Sequence, residues 1–254
     1  MSLIRSGNPV LNREDIWEPS GSDVMTVQGA VTKTVFALLL TIGAAVFVWR
    51  GFFRGEDVMP WITAGVLGGA IMSLVIWFRG ATGPITTSLY AASEGLAIGG
   101  ISAFVETRYK GIPLQAVALT FGTMFAVLAA YKARIVQATA GFRMGVSAAM
   151  GGLCLVYLVD LVLMFVGWRV PFIHESGPIG IAFSLFVVGL AALNLVLDFD
   201  LIERGARSGA SKATEWFAAW GLLVTLVWLY LEILKLLAKL QGKGGRSRSS
   251  GVSS

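Results

Sequence analysis

The chain is predicted to be an all-α integral membrane protein, a bundle of seven transmembrane helices, on three observations. Hydrophobic residues make up 56% of its 254 residues and charged residues only 14%, against about 25% charged in ordinary soluble domains. The mean hydropathy is +0.74. Apolar runs of the length that spans a bilayer, about 20 residues, recur near 31–49, 60–78, 84–105, 112–131, 146–167, 178–197 and 216–237. A polar segment over 1–30 precedes this helical domain of 31–240, and a Gly-, Ser- and Arg-rich tail over 241–254 is expected to be disordered, with weak attraction to anionic lipid.

The first run follows a long polar stretch, so it does not read as a cleaved signal peptide and is expected to remain as a span. Short breaks at Arg50–Asp57 and Arg79–Pro84 place runs one, two and three side by side. Glycine pairs at four-residue spacing, Gly65 with Gly69 and Gly95 with Gly99, let the second and third helices approach a neighbour's backbone. Trp49, Trp61, Trp77, Trp168 and Trp216 stand at run ends, where amphipathic rings anchor at the headgroup level. The fifth run holds the lone cysteine, Cys154, read as a small core residue. The connection from Asp198 to Glu215 is too short for a further domain. With the N-terminus inside, the internal loops carry ten basic residues against five outside, although the basic tail levels that difference.

Several function classes are excluded by composition. The net charge of +5 comes largely from Lys235, Lys239, Lys243, Arg246 and Arg248 near the end of the chain, not from a folded basic face, so nucleic acid is not an expected partner. One histidine, His174, and one cysteine make neither a zinc site nor a disulfide framework. No nucleophile–histidine–acid grouping or phosphate-cradling loop points to an enzyme, and no cofactor is implied.

Acids inside apolar runs are the informative residues, because a charge at mid-bilayer costs roughly 2.5 to 3.5 kcal/mol and such groups face a polar interior. Glu94 lies about ten residues into run three, as an ion-path residue or as a neutral hydrogen-bonded carboxyl. Asp160, nearer the end of run five, leans to a structural role. Asp198 and Asp200 are separated by about 200° on a helix, so the two do not share one pocket. Asp200 has Arg204 one turn on as an ion-pair partner, which leaves Asp198 as the interior candidate. Glu232 either pairs locally with Lys235 or meets a carboxyl from run six, and two carboxyls that close share a proton and titrate together.

Asn194-Leu-Val-Leu-Asp-Phe-Asp-Leu-Ile-Glu203, followed by Leu229-Tyr-Leu-Glu-Ile-Leu234, resembles the paired acidic motifs of the transmembrane Bax inhibitor family. Asn8-Pro-Val-Leu11, Lys33-Thr34 and Tyr90-Ala-Ala-Ser-Glu-Gly95 are similar to its bacterial branch, which implies a bacterial inner membrane. The resemblance implies a central last helix and a pH-sensing carboxyl pair latched by an arginine on the second helix. By motif these roles fall on Asp198, Glu232 and Arg79. It implies a pH-sensitive calcium leak, with Asp198 and Glu232 as calcium-contacting oxygens, or a modulator of cell death or of a membrane protease. Two departures stand out. Glu232 replaces an aspartate, and Gly65–Gly69 replaces an acid on the second helix, a role Glu94 is placed to take over. A non-conducting interaction protein is the rival expectation, and it would show a lipid-exposed polar or small-residue stripe on runs one to four.

Overall fold

A computed structural model describes residues 24–79, 83–168, 175 and 177–249. Among them seven helices follow in order: α1 (Val27–Phe53), α2 (Met59–Arg79), α3 (Pro84–Arg108), α4 (Ile112–Lys132), α5 (Ala140–Phe165), α6 (Pro178–Arg207) and α7 (Thr214–Ser249). Each contains a stretch long and apolar enough to cross a membrane. The chain is therefore a multi-pass integral membrane protein.

The helix boundaries have local causes. Thr26 caps α1 by accepting the Gly29 N–H at 2.9 Å, and Thr139 caps α5 by accepting from Phe142 at 3.2 Å. Pro84 and Pro178 open α3 and α6, where a missing N–H is no loss. Gly209 turns the chain between α6 and α7 at φ 73°, a left-handed conformation that suits glycine. The α7 backbone stays helical to Ser249, past the tail boundary expected at Gln241, because a formed helix extends at one hydrogen bond per residue and no proline interrupts it.

α7 is the central element, as the resemblance implies: 83% of its membrane-spanning window is buried, against 6% for α5. It packs against α1, α3, α4 and α6. Leu222, Leu226, Leu229 and Ile233 of α7 meet Ala191 and Leu195 of α6 in one apolar cluster. Phe217, Trp220 and Leu223 meet Ile76 of α2 and Tyr90 of α3 in another.

Both glycine pairs are consumed in packing. A methyl on Gly65 would lie 2.6 Å from the Ala97 amide nitrogen of α3, and one on Gly99 would lie 2.5 Å from the Ala45 carbonyl oxygen of α1. α5 is peripheral and docks on α6 through Val146 and Leu153. Cys154, one residue beyond Leu153 and so rotated about 100°, is exposed and not in the core as expected. His174 lies outside the described residues.

Candidate functional site

The short α6–α7 connection folds the two helices antiparallel. It seats Asp198 of α6 against Thr225 of α7, both 2% exposed, with Asn194 one turn back on α6 equally buried. Thr225 donates its hydroxyl to Asp198 Oδ2 at 2.6 Å. The Asn194 amide donates to Thr225 Oγ1 at 3.1 Å and reaches Asp198 Oδ2 at 3.4 Å. The other oxygens, Asp198 Oδ1 and Asn194 Oδ1, are buried and have no hydrogen-bond donor among the described residues. Thr225 lies 11 residues into α7, about 16 Å by helical rise, which is near the middle of a hydrocarbon core about 30 Å thick.

Asp198 and Glu232 are not brought together. Ser184 receives Lys239 Nζ at 2.8 Å in the same antiparallel register that sets Asp198 on Thr225, and this register puts Ala191 opposite Glu232. Glu232 stands seven residues beyond Thr225, about 10 Å along the axis. Its partners are Tyr157 of α5, which donates at 3.1 Å, and Lys235, at 2.9 Å. The local ion pair with Lys235 is thus the arrangement present, and a calcium site shared by Asp198 and Glu232 has no geometric basis. The resemblance places an acid on the last helix opposite Asp198; here that position holds the hydroxyl of Thr225. Among the described residues no lysine or arginine forms an ion pair with Asp198. The side chain of Arg79, the expected latch, lies outside the described residues.

Glu94 lies in the α2–α3 interface, and a methyl on Gly69 would sit 3.0 Å from its Oε1. The carboxyl therefore covers Gly69, the end of the glycine-rich stretch where an acid on α2 was expected. Tyr90, one turn back, interacts with Glu94 and packs edge-on to Trp220 of α7 at 5.8 Å, which links this carboxyl to the central helix. Asp160 is half-buried on α5, close enough for its charge to act on Tyr157, and belongs to the Glu232 side of the bundle. Asp200 points away from Asp198, as their angular separation requires. It pairs with Arg204 and approaches the Tyr131 hydroxyl of α4 at 3.4 Å.

Three participants were not singled out from the sequence. Thr225 and Tyr157 are neutral, so a search for membrane charges passes over them. Glu215, in the first turn of α7, reads as a favourable helix-dipole charge. In the fold it is 3% exposed on its side chain, pairs with Lys33 of α1 and accepts the Thr26 N–H at 2.9 Å and the Thr26 hydroxyl at 3.0 Å. With the pairing of Val24 and Ser211, it fastens the start of α1 to the α6–α7 turn.

Asp198, Asn194 and Thr225 offer oxygen ligands of the hard type that suits protons and alkali or alkaline-earth cations. Calcium takes six to eight oxygens, and among the described residues no group of three or more His, Cys, Asp or Glu could hold a metal. The four side-chain oxygens of the trio fall short of that number. No curated protein matches the chain. The family model described as Bax inhibitor 1 like matches residues 8–242. On that match, with seven spans of which the last is the most buried, the chain belongs to the Bax inhibitor 1-like family.

Proposed function

We propose that the chain is a proton-sensitive cation leak of a bacterial cell membrane, not an enzyme, and that Asp198 alone is its titrating gate. The observation that carries this reading is the pair of buried oxygens, Asp198 Oδ1 and Asn194 Oδ1, one turn apart and without donors among the described residues. An unsatisfied buried acceptor costs about 1–3 kcal/mol. A proton on Asp198 relieves it by bridging to the Asn194 oxygen, and a cation relieves it by coordinating both. Proton and cation thus compete for one position: a proton on Asp198 fills it and shuts the path, and deprotonation admits the cation. Calcium and sodium both fit the oxygen chemistry as cargo.

Purified protein in liposomes, loaded with a calcium or sodium indicator, tests this. Wild-type flux rises from acidic to neutral pH by no more than about tenfold per pH unit, the limit for one titrating group. Asp198→Asn loses the pH response, whereas Glu232→Gln keeps it. A flat pH profile, or one that survives in Asp198→Asn, overturns the proposal.

The rival reading, a non-conducting protein that docks on a membrane protease, calls for a polar or small-residue stripe on the lipid face of α1–α4. The glycine pairs of α2 and α3 are occupied by neighbouring backbone and side chains, whereas Gln115, Ala118, Gly122, Ala126 and Ala129 form an exposed stripe on α4, and crosslinking with co-purification alongside the flux assay separates the two readings.

A further inference from the structure

The α4–α5 connection and the end of α6 enclose a polar cavity of about 430 Å³, within the size range of ligand sites and separate from the Asp198 trio. Three helix ends meet there, at Lys132 of α4, Thr139 of α5 and Arg207 of α6. The cavity therefore lies at the membrane–water boundary. Ile135 beside it is 78% exposed.

The acids of the cavity are already engaged. Glu203 accepts the Tyr131 hydroxyl at 2.6 Å and Arg207 at 2.7 Å, and Asp200 is closed by Arg204. Lys132 and Arg134 line the cavity with no ion pair among the described residues. The charge of Arg143 also reaches Asp200. Among the lining residues cations outnumber carboxylates by three to two, and Arg204 and Arg143 offset the charge of Asp200 from outside the lining, a surplus that attracts an anion. Arg134 holds a left-handed backbone, φ 58°, a conformation in which glycine is at ease and a side chain is strained. The strained position nonetheless carries a guanidinium, whose planar fork matches phosphate oxygens.

We propose that this cavity binds a phosphate-bearing anion, the headgroup of an anionic phospholipid or a soluble phosphate, with Lys132 and Arg134 as its cationic ligands. Basic pockets between helix ends at the membrane surface hold such headgroups. Nothing in this site depends on conduction through Asp198.

The test is the melting temperature of the purified full-length chain in a neutral detergent, titrated with short-chain phosphatidylglycerol, short-chain phosphatidylcholine or inorganic phosphate at matched ionic strength. Phosphatidylglycerol raises the melting temperature and phosphatidylcholine does not. An equal rise with inorganic phosphate assigns a soluble ligand, and a rise with phosphatidylglycerol alone assigns the lipid. Lys132→Gln combined with Arg134→Gly raises the apparent dissociation constant about thirtyfold, the loss expected for two cations at an anionic surface. The double variant melts normally without ligand, because Lys132 is exposed and glycine relieves the backbone at 134. Arg108→Gln with Lys110→Gln, at the α3–α4 connection on the opposite face, leaves the affinity unchanged. No rise with either anion, or an undiminished affinity in the 132/134 variant, overturns the proposal.

Discussion

Thr225→Val is nearly isosteric and removes one hydroxyl from the centre of the bundle. Asp198 Oδ2 then keeps only the Asn194 amide, at 3.4 Å, beyond the 3.2 Å at which N–H···O bonds are ordinarily formed. Oδ1 has no donor among the described residues to begin with. The substitution therefore strips a 2%-exposed carboxylate of its one good hydrogen bond. A bond to a charged group contributes about 1.5–3 kcal/mol, whereas neutral interhelical bonds in membranes average about 0.6 kcal/mol. With Asp198 ionised, at alkaline pH, Thr225→Val is expected to destabilise by about 2 kcal/mol. In an Asp198→Asn background the same change is expected to cost about 0.6 kcal/mol. Reversible unfolding in mixed micelles of increasing dodecyl sulfate, run as a double-mutant cycle, measures the difference. Equal losses in the two backgrounds would refute a charge-dependent bond between α6 and α7.

Two further perturbations bear on the scaffold. Gly99→Ala drives a methyl to 2.5 Å from the Ala45 carbonyl and should lower stability by about 1–3 kcal/mol, whereas Gly43→Ala, with open space around it, should raise it by about 0.5–1 kcal/mol; the same unfolding assay reads both, and equal effects would show that the α1–α3 contact is loose. Glu215→Gln breaks an ion pair in which Lys33 retains 18% exposure, so a loss of about 3 kcal/mol is expected, partly recovered by adding Lys33→Met. A loss below about 1 kcal/mol, the scale of exposed pairs, would mean that water reaches the carboxyl.

The architecture was legible because each span carries its own signal. Apolar length places seven helices without reference to any neighbour, and Gly65, Gly69, Gly95 and Gly99 announce close backbone approach by spacing alone. The turning of Asp200 away from Asp198 follows from helical geometry, and its pairing with Arg204 from one-turn spacing. Inter-helix register is a different kind of quantity. It is set by how the α6–α7 turn closes at Gly209 and by side chains that carry no charge, so Thr225 opposite Asp198 could not be read from acids along the chain. Glu232 shows the same limit: its local partner, Lys235, was visible at three-residue spacing, but its separation from Asp198 depends on a register visible only in three dimensions. Glu94 over Gly69 lies between these cases. The missing acid on the second helix and the extra one on the third suggested a substitution in space, and the fold places the carboxyl there.

The most enclosed of the seven helices is also the last of them to leave the ribosome. α1, α2 and α3 can associate early, since the glycines that join them lie within the first hundred residues. Asn194 and Asp198 must wait in the bilayer or translocon until Thr225 arrives, and Lys33 must wait for a carboxylate 182 positions downstream. A ribosome stalled before Thr214 would therefore leave a ring of spans with a polar seam facing inward, the form in which a quality-control protease or an insertion factor would meet this protein.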